Sequence, residues 1–553
     1  MAKRNAAASL GSGGARSPLM TTGGLICTAS PLAGAIGARV LREGGNAFDA
    51  TVAVAAAEAV TIPMMCGLGG EVFALLYEAK SGKVHGVTGS GRAPMAATRE
   101  RFVADGHETM PSLGPVAASV PGEVDAWDAI VNRFGTRRLG ALITPAAEIA
   151  EQGFPLPPRT AAYFTHWREK IARFPTTAAI HANRGAPWQA GDVLVQRDLG
   201  RSIRRIAEGG RHEFYQGDLA REIVDAARRD GGLLSLDDMT AHTTEIYEPP
   251  LTTTYRGYFV AANRLPSQSY LILELLNIIE GFDMAALGAN SADAVHATAE
   301  AAKLAFADRL AYVGDPTRGA VPIDALLSKG FAAERRPRID PRRAAERVEA
   351  GALALSSGHS STSGFCVVDR EGNAVSFIHS LSMYFGCGWV AGETGILLND
   401  RVARSFFLDP AHPNALAPGK RPINTIQNWM VLDQGKPMLL GCTPGGDRQP
   451  QWNVQVISNL LDHGMNVQDA VERPRWNVYP GSDAAAVGKP FELRLEDGFS
   501  SAARDELAAR GHRLTRLPAG ESGGAMQVIE IDQTTGVRHG GTDPRCDGYP
   551  VPA

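Results

Sequence analysis

The sequence predicts an α+β protein built from sheets covered by helices. Three observations carry this expectation. Strand hairpins cluster near the beginning and again in the last third, a largely helical stretch separates them, and no internal repeat links the parts. At 553 residues and 58.6 kDa, with 44% hydrophobic and 21% charged residues, the chain can bury a large core and has a globular composition.

Taken in order, residues 1–22 read as a mobile polar tail. Residues 33–41 have helical spacing and stop at Gly44 and Gly45. Residues 47–60, rich in Ala and Val, fit only a buried helix. EVFALLYE (71–78) and KVHGVTG (83–89) are strands joined through the turn AKSGK. From about 120 to 330 the pattern is mainly helical. Its clearest helix spans 292–313, with Ser291 as N-cap, Gly314 past its end and Pro316 as the stop. Residues 334–358 are charged, then small and polar, and read as an exposed linker. Beyond it, FCVVD (365–369) and AVSFIHSL (374–381) form a hairpin over REGN, and WMVLD and PMLLGC add strands. Residues 453–461 and 467–473 read as helices, and AMQVIEID (525–532) as a last strand.

Composition excludes several functions. Lys+Arg 55 against Asp+Glu 59 gives a net charge of −4, unlike a dedicated nucleic-acid binder. Gly 61 and Pro 34 occur without a period, which excludes collagen. The first twenty residues have a basic start but no apolar segment, and no apolar run reaches 18 residues. Neither a secretory signal nor a membrane span is expected. Cys27, Cys66, Cys366, Cys387, Cys442 and Cys546 form no CxxC pair and are expected as buried free thiols in a reducing cytoplasm. The 13 histidines lack metal-ligand spacing, and there is no H-E-x-x-H or P-loop, so no metal or cofactor is expected. GESGG (520–524) matches G-x-S-x-G formally, but Ser522 leads into a strand rather than a helix, which argues against a serine triad. GLGG (67–70) is followed by a strand and lacks the spacing of a dinucleotide loop.

The chemistry concentrates in SSGHSSTSGFCVVDREGNAVSFIHSL. Thr362 stands where the linker meets the central hairpin, and a strand start is also where β-propensity alone places a threonine. A threonine hydroxyl needs a nearby base to act as a nucleophile. A backbone cut before Thr362 would supply one, because the freed α-amine has a pKa of about 7.7–8.

Motifs along the chain settle which reading applies. GGNAFDATVAVAAAEAV, GLGGEVF, GVTGSGRAPMAAT, PGEVDAWDAIVNRFGT, YRGYFVAANRLPSQS, AEAAKLAFADRLAYVGDP, VAGETGILLND, GKRPINT, TPGGDRQPQ and DPRCDGY follow one another in order. Together they resemble the γ-glutamyltranspeptidase family of self-processing N-terminal-nucleophile hydrolases. The resemblance implies a four-layer αββα sandwich and autocleavage between Ser361 and Thr362. It implies a heavy fragment, 23–361 behind the tail, and a light fragment, 362–553, which stay associated in one unit, with a dimer of such pairs as a further possibility. It makes Thr362 the nucleophile, Ser380 its supporting hydroxyl, and Gly445 and Gly446 the backbone donors to the oxyanion. Ser363, Ser382, Asn424 and Thr425 fall at substrate-binding positions.

Departures from the family pattern bear on the substrate. Arg404 stands where glutamyl enzymes hold the substrate ammonium with an acidic residue, and a guanidinium repels an ammonium but clamps a carboxylate. The family's carboxylate-binding arginine matches Ser90, with Arg92 two residues on, and the segment before GKRP is short. These features resemble the oxamate amidohydrolase branch. The expected substrate is a small amide bearing a free carboxylate near Arg404 or Arg92. A γ-glutamyltransferase or glutathione hydrolase is the alternative, and an inactive scaffold the second.

Overall fold

The structure, a computed structural model, describes residues 16–351, 361–481 and 489–553. Two seven-stranded antiparallel sheets lie at its centre. The first runs Leu19–Thr21, Arg538–Thr542, Gln527–Ile531, Lys436–Cys442, Asn428–Asp433, Tyr258–Ala262 and Leu251–Tyr255. The second runs Tyr549–Pro552, Leu25–Thr28, Ser361–Val368, Ala374–Ser382, Glu71–Glu78, Lys83–Gly89 and Glu245–Tyr247. Each sheet draws strands from both sides of residue 361.

Pleat alternation explains the layering. Phe73, Leu75, Ile378, Met430, Leu440 and Ile529 point into the space between the sheets. Their neighbours Val72, Ala74, Phe365, Val367 and Phe377 point outward, onto helices Ala47–Thr61, Glu123–Phe134 and Leu139–Gln152. Helices Tyr270–Ile279, Ala292–Tyr312 and Arg448–Leu461 cover the outer face of the first sheet. The result is the expected αββα order. It also explains why the central strands read as unbroken apolar runs: Ala374–Ser382 is buried along its whole length, on both faces. Ala47–Thr61 is buried all round, and its start is fixed by a capping box between Asn46 and Asp49.

Several boundaries differ from expectation. The tail ends sooner, since Leu19–Thr21 pairs with Arg538–Thr542; residues 1–15 lie outside the described residues. Within the helical middle, Glu245–Tyr247, Leu251–Tyr255 and Tyr258–Ala262 are strands, the last two joined through Arg256 and Gly257 at positive φ. Their β-branched and aromatic residues carried that signal within a helix-rich window. The helix expected at 453–461 begins at Arg448, because Pro450 falls in its first turn, where no N–H donor is needed. The linker is not simply exposed: Arg335 is buried against Asp308, which also accepts from the Gly351 N–H. Its residues 352–358 lie outside the described residues. The cysteines are unpaired, five of them buried. Among the described residues no helix is long and apolar enough to cross a membrane.

Gly69 anchors the loop that leads into Glu71–Glu78. A Cβ there would lie 2.0 Å from the Leu397 carbonyl oxygen, a backbone atom that cannot swing aside. Gly69→Ala is expected to cost about 1–3 kcal/mol of stability, read as a lowered urea midpoint.

Candidate active site

Thr362 occupies an irregular point of the central ladder. Pairing steps from Ser361↔Ser382 to Ser363↔His379, so Ser380 and Leu381 together oppose the single Thr362. Such a bulge re-aims the side chain beside it. The next strand places Glu71 opposite Ser380, and Ser90, one residue past the Val72↔Gly89 pair, donates to Glu71 Oε2 at 2.9 Å. By pleat alternation Ser380 and Glu71 face the space between the sheets, as Ile378 and Phe73 do. Thr362, Ser380, Glu71 and Ser90 thus form a polar row across four adjacent strand positions, all buried.

The opposite sheet and its helix supply the facing groups. The Gln449 side-chain amide donates to Thr362 Oγ1 at 3.1 Å, and its oxygen accepts from the Gln427 N–H at 2.9 Å. Gln449 lies in the first turn of helix Arg448–Leu461, directly after Gly445 and Gly446. Gly445 has φ 146° and Gly446 φ 60°, a backbone that side chains rarely adopt. A Cβ on Gly445 would meet the Trp452 ring at 2.6 Å. Among the described residues neither glycine N–H donates to a backbone carbonyl, and both sit at a helix N-terminus, which favours negative charge. The pair can therefore receive a developing oxyanion.

Behind the row lies a buried charged cluster. Ser363 Oγ donates to Glu58 Oε2 at 3.0 Å, and Thr28 donates to the other Glu58 oxygen. His379 lies between two carboxylates, Nε2 at 2.8 Å from Glu58 and Nδ1 at 2.8 Å from Glu123, which also accepts from Trp127. Burial alone would lower the His379 pKa, but the acidic groups around it, Cys66 and Glu123 first, hold it well above its ordinary value. Burial pushes Glu123 up. The structure turns Ser363 into this cluster on the helix side of the sheet, whereas the expectation made it a substrate contact. Adjacent strand residues point to opposite faces, and Thr362 takes the other one.

Cations gather on the side where the short helix Arg401–Ser405 packs. Arg401 is fully buried and paired with Glu71 through Nε. Arg404 is half-buried, and its charge is felt by Arg401, Lys170 and Arg448. Asp400 faces the same group and accepts from the Met383 N–H. Asn424 Nδ2 reaches Ser90 Oγ at 3.5 Å, Thr425 follows it, and Ser382 adjoins Ser380, whose Oγ accepts the Ser382 N–H at 2.8 Å. Arg92 stands apart. Its Nη1 donates to the Gly419 carbonyl, and its charged neighbours are Arg421, Asp315, Glu245 and Arg318. The Ser522 hydroxyl donates to the Gly523 carbonyl, and the Ser522 carbonyl accepts from Arg448. The side chain of Ser361 lies outside the described residues.

Two triads have metal-ligand proximity: Glu58, Cys66 and His379, and His296, Glu300 and His512. In each the donor atoms are already engaged. His379 bonds both carboxylates, and His296 bonds His512 and the Asp340 carbonyl. Gln449, Glu71 and the Glu58–His379–Glu123 cluster escaped the sequence reading. Only the charged residues embedded in apolar helix and strand patterns, at 58 and 71, signalled them.

The family model described as Gamma-glutamyltranspeptidase matches residues 33–553. The glutathione hydrolase-like YwrD proenzyme of Bacillus subtilis (strain 168) is 38% identical over 94% of this chain and 96% of its own length. The glutathione hydrolase proenzyme of Escherichia coli (strain K12) is 35% identical over 96% of this chain and 91% of its own. The crystal structure of cephalosporin acylase from Bacillus halodurans superposes with a TM-score of 0.89 at 34% identity, covering 97% of each chain.

Two outcomes follow from the geometry. Gln449→Ala removes the donor to Thr362 Oγ1 and is expected to lower kcat about tenfold with the fold intact, as steady-state kinetics and thermal melting would show. A histidine whose pKa is raised on folding adds stability below its unfolded pKa of about 6.5, and that stability is lost as pH rises through the folded value. Urea midpoints measured from pH 6 to pH 10 should therefore fall on the alkaline side, and His379→Gln should flatten that decline.

Proposed function

We propose that this chain, which belongs to the gamma-glutamyltranspeptidase family, is a self-processing threonine-nucleophile amidohydrolase. Its substrates are oxamate-like in one respect: they are amides of small acids that carry a second, free carboxylate. The observation that carries this reading is the cationic side of the site. Lys170, Arg401, Arg404 and Arg448 outnumber Asp400 and Glu71 there. An anionic acyl group enters such a site with electrostatic gain, whereas a cationic one does not.

In processing, Thr362 Oγ attacks the carbonyl carbon of residue 361. The C–N bond breaks, the amine of Thr362 takes the proton, and an ester links residue 361 to Thr362 Oγ. Water then hydrolyses the ester, leaving a carboxylate on residue 361 and a free α-amine on Thr362. In turnover that amine takes the Thr362 hydroxyl proton as Oγ attacks the substrate amide. The Gly445 and Gly446 N–H groups hold the oxyanion, the protonated amine leaves, and water releases the acid from the acyl-enzyme. Gln449 donates to Oγ1, which leaves the hydroxyl proton free to move toward the amine. Ser380, in the bulge beside Thr362, supports the same oxygen from the return strand.

One observation favours a second reading. Among the described residues, Asp400 Oδ2 is buried without a hydrogen-bond partner, beside Arg401. That oxygen could accept a substrate ammonium, as a γ-glutamyl amide would require, and two of the relatives above carry glutathione hydrolase in their names.

Purified wild-type protein should run on a denaturing gel as fragments of roughly 38 and 20 kDa, in proportion to residues 1–361 and 362–553. Thr362→Ala should remain a single band; two bands in that variant would remove Thr362 as the nucleophile. Glutaryl and γ-glutamyl anilides, which differ only in the ammonium, separate the two readings. A higher kcat/KM on the glutaryl compound is expected, and the reverse order would favour the γ-glutamyl reading.

A further inference from the structure

Arg401 is a fully buried arginine of which only one nitrogen is used. Its Nε pairs with Glu71, while Nη1 and Nη2 have no hydrogen-bond partner among the described residues. Burial pulls its pKa below the ordinary value, with Glu71 and then Asp400 opposing and Arg404 adding to the fall, so a further anion would relieve the penalty. The residue is held rigidly. Its backbone N–H donates to Asn399 Oδ1 at 3.0 Å, and Asn399 is itself tied to the Gly69 carbonyl and to Ser119. Glu71 accepts from Ser90, which Asn424 approaches, and the Thr425 hydroxyl next to it is buried without a partner among the described residues. Two parallel N–H donors in a planar fork match a carboxylate.

We propose that Arg401 Nη1 and Nη2 are the seat of the substrate carboxylate, and that the placement selects acyl chains of four or five carbons. This rests on the amidohydrolase reading of the same site. Glu71 lies two strands from Thr362 in the polar row, and adjacent strands are about 4.8 Å apart, so the two backbones are separated by roughly 10 Å. Side chains stand nearly perpendicular to a sheet, so this lateral separation carries over to the groups they present. A reacting carbonyl lies about 3 Å from the nucleophile, and a clamped carboxylate about as far from the guanidinium. Roughly 4 Å then remains between the two carboxyl carbons of the substrate. Succinyl and glutaryl chains span that gap, whereas the single bond of oxamate does not.

The test compares glutaryl p-nitroanilide with butyryl p-nitroanilide, which lacks the terminal carboxylate, and takes ammonia release from oxamate as a third substrate. Wild type should prefer glutaryl over butyryl by about a hundredfold or more in kcat/KM, and oxamate should be the poorest of the three. Arg401→Met alone strands the Glu71 carboxylate, so the decisive variant is Arg401→Met with Glu71→Gln, which removes the pair together. Its glutaryl-to-butyryl ratio should collapse toward one, with self-cleavage into two fragments reporting a folded site. Arg401→Lys keeps the charge but not the fork, and should lose part of the ratio through KM. A double variant that retains the preference overturns the assignment, as does an Arg401→Lys protein with an unchanged ratio should the double variant fail to mature. Oxamate turnover matching glutaryl turnover overturns the chain-length claim. If wild type instead prefers γ-glutamyl anilide, the amidohydrolase reading falls. Whether the double variant still discriminates that anilide from its butyryl counterpart then decides Arg401 separately.

Discussion

The strict alternation of side chains along a strand buried on both faces is the constraint on which the site depends. Around Thr362 it sends one hydroxyl toward Gln449 and the next, Ser363, into the Glu58–His379 cluster. The same alternation lines Ser380 and Glu71 up beside Thr362 and puts His379 on the other side. A shift of one residue in the return strand Ala374–Ser382 would exchange its two faces and put the His379 ring where Ser380 belongs. The bulge opposite Thr362 and the four-membered link from Ser363 through Glu58 and His379 to Glu123 hold the strand to one register from both sides.

Charge inside this core has a double character. Burying Glu71 with Arg401, or His379 with two carboxylates, gives little net stability, because the desolvation of each group offsets its attraction. These groups are better understood as fixing geometry, since every one makes a directed contact within the row or immediately behind it. The apolar layers on either side exclude water and strengthen those contacts.

Much of this was legible in the sequence. Helix Ala47–Thr61 announces itself by an all-round apolar composition, and the central hairpin by β-rich runs about REGN. Thr362, Ser380 and the glycine pair stand out through the order of motifs. What stayed hidden depends on long-range pairing. Gln449 reads as an ordinary residue near a proline until the helix is seen to begin at Arg448. Arg401 differs from Arg404 only in the partner it meets, and that partner lies 330 residues away in sequence. The strand Arg538–Thr542 is disguised by Gly540 and Gly541, which are present because Cys27, Pro550 and the Val467 carbonyl crowd them.

The interleaving of the sheets has one more consequence. Strands from before and after residue 361 pair with one another within both sheets, so neither half owns a complete layer. Under the proposed self-processing, a chain must finish folding before the bond between residues 361 and 362 meets its own catalyst. Arming would then be conditional on architecture: a misassembled copy would stay chemically silent, and a mature one would already have passed an inspection of its entire interior.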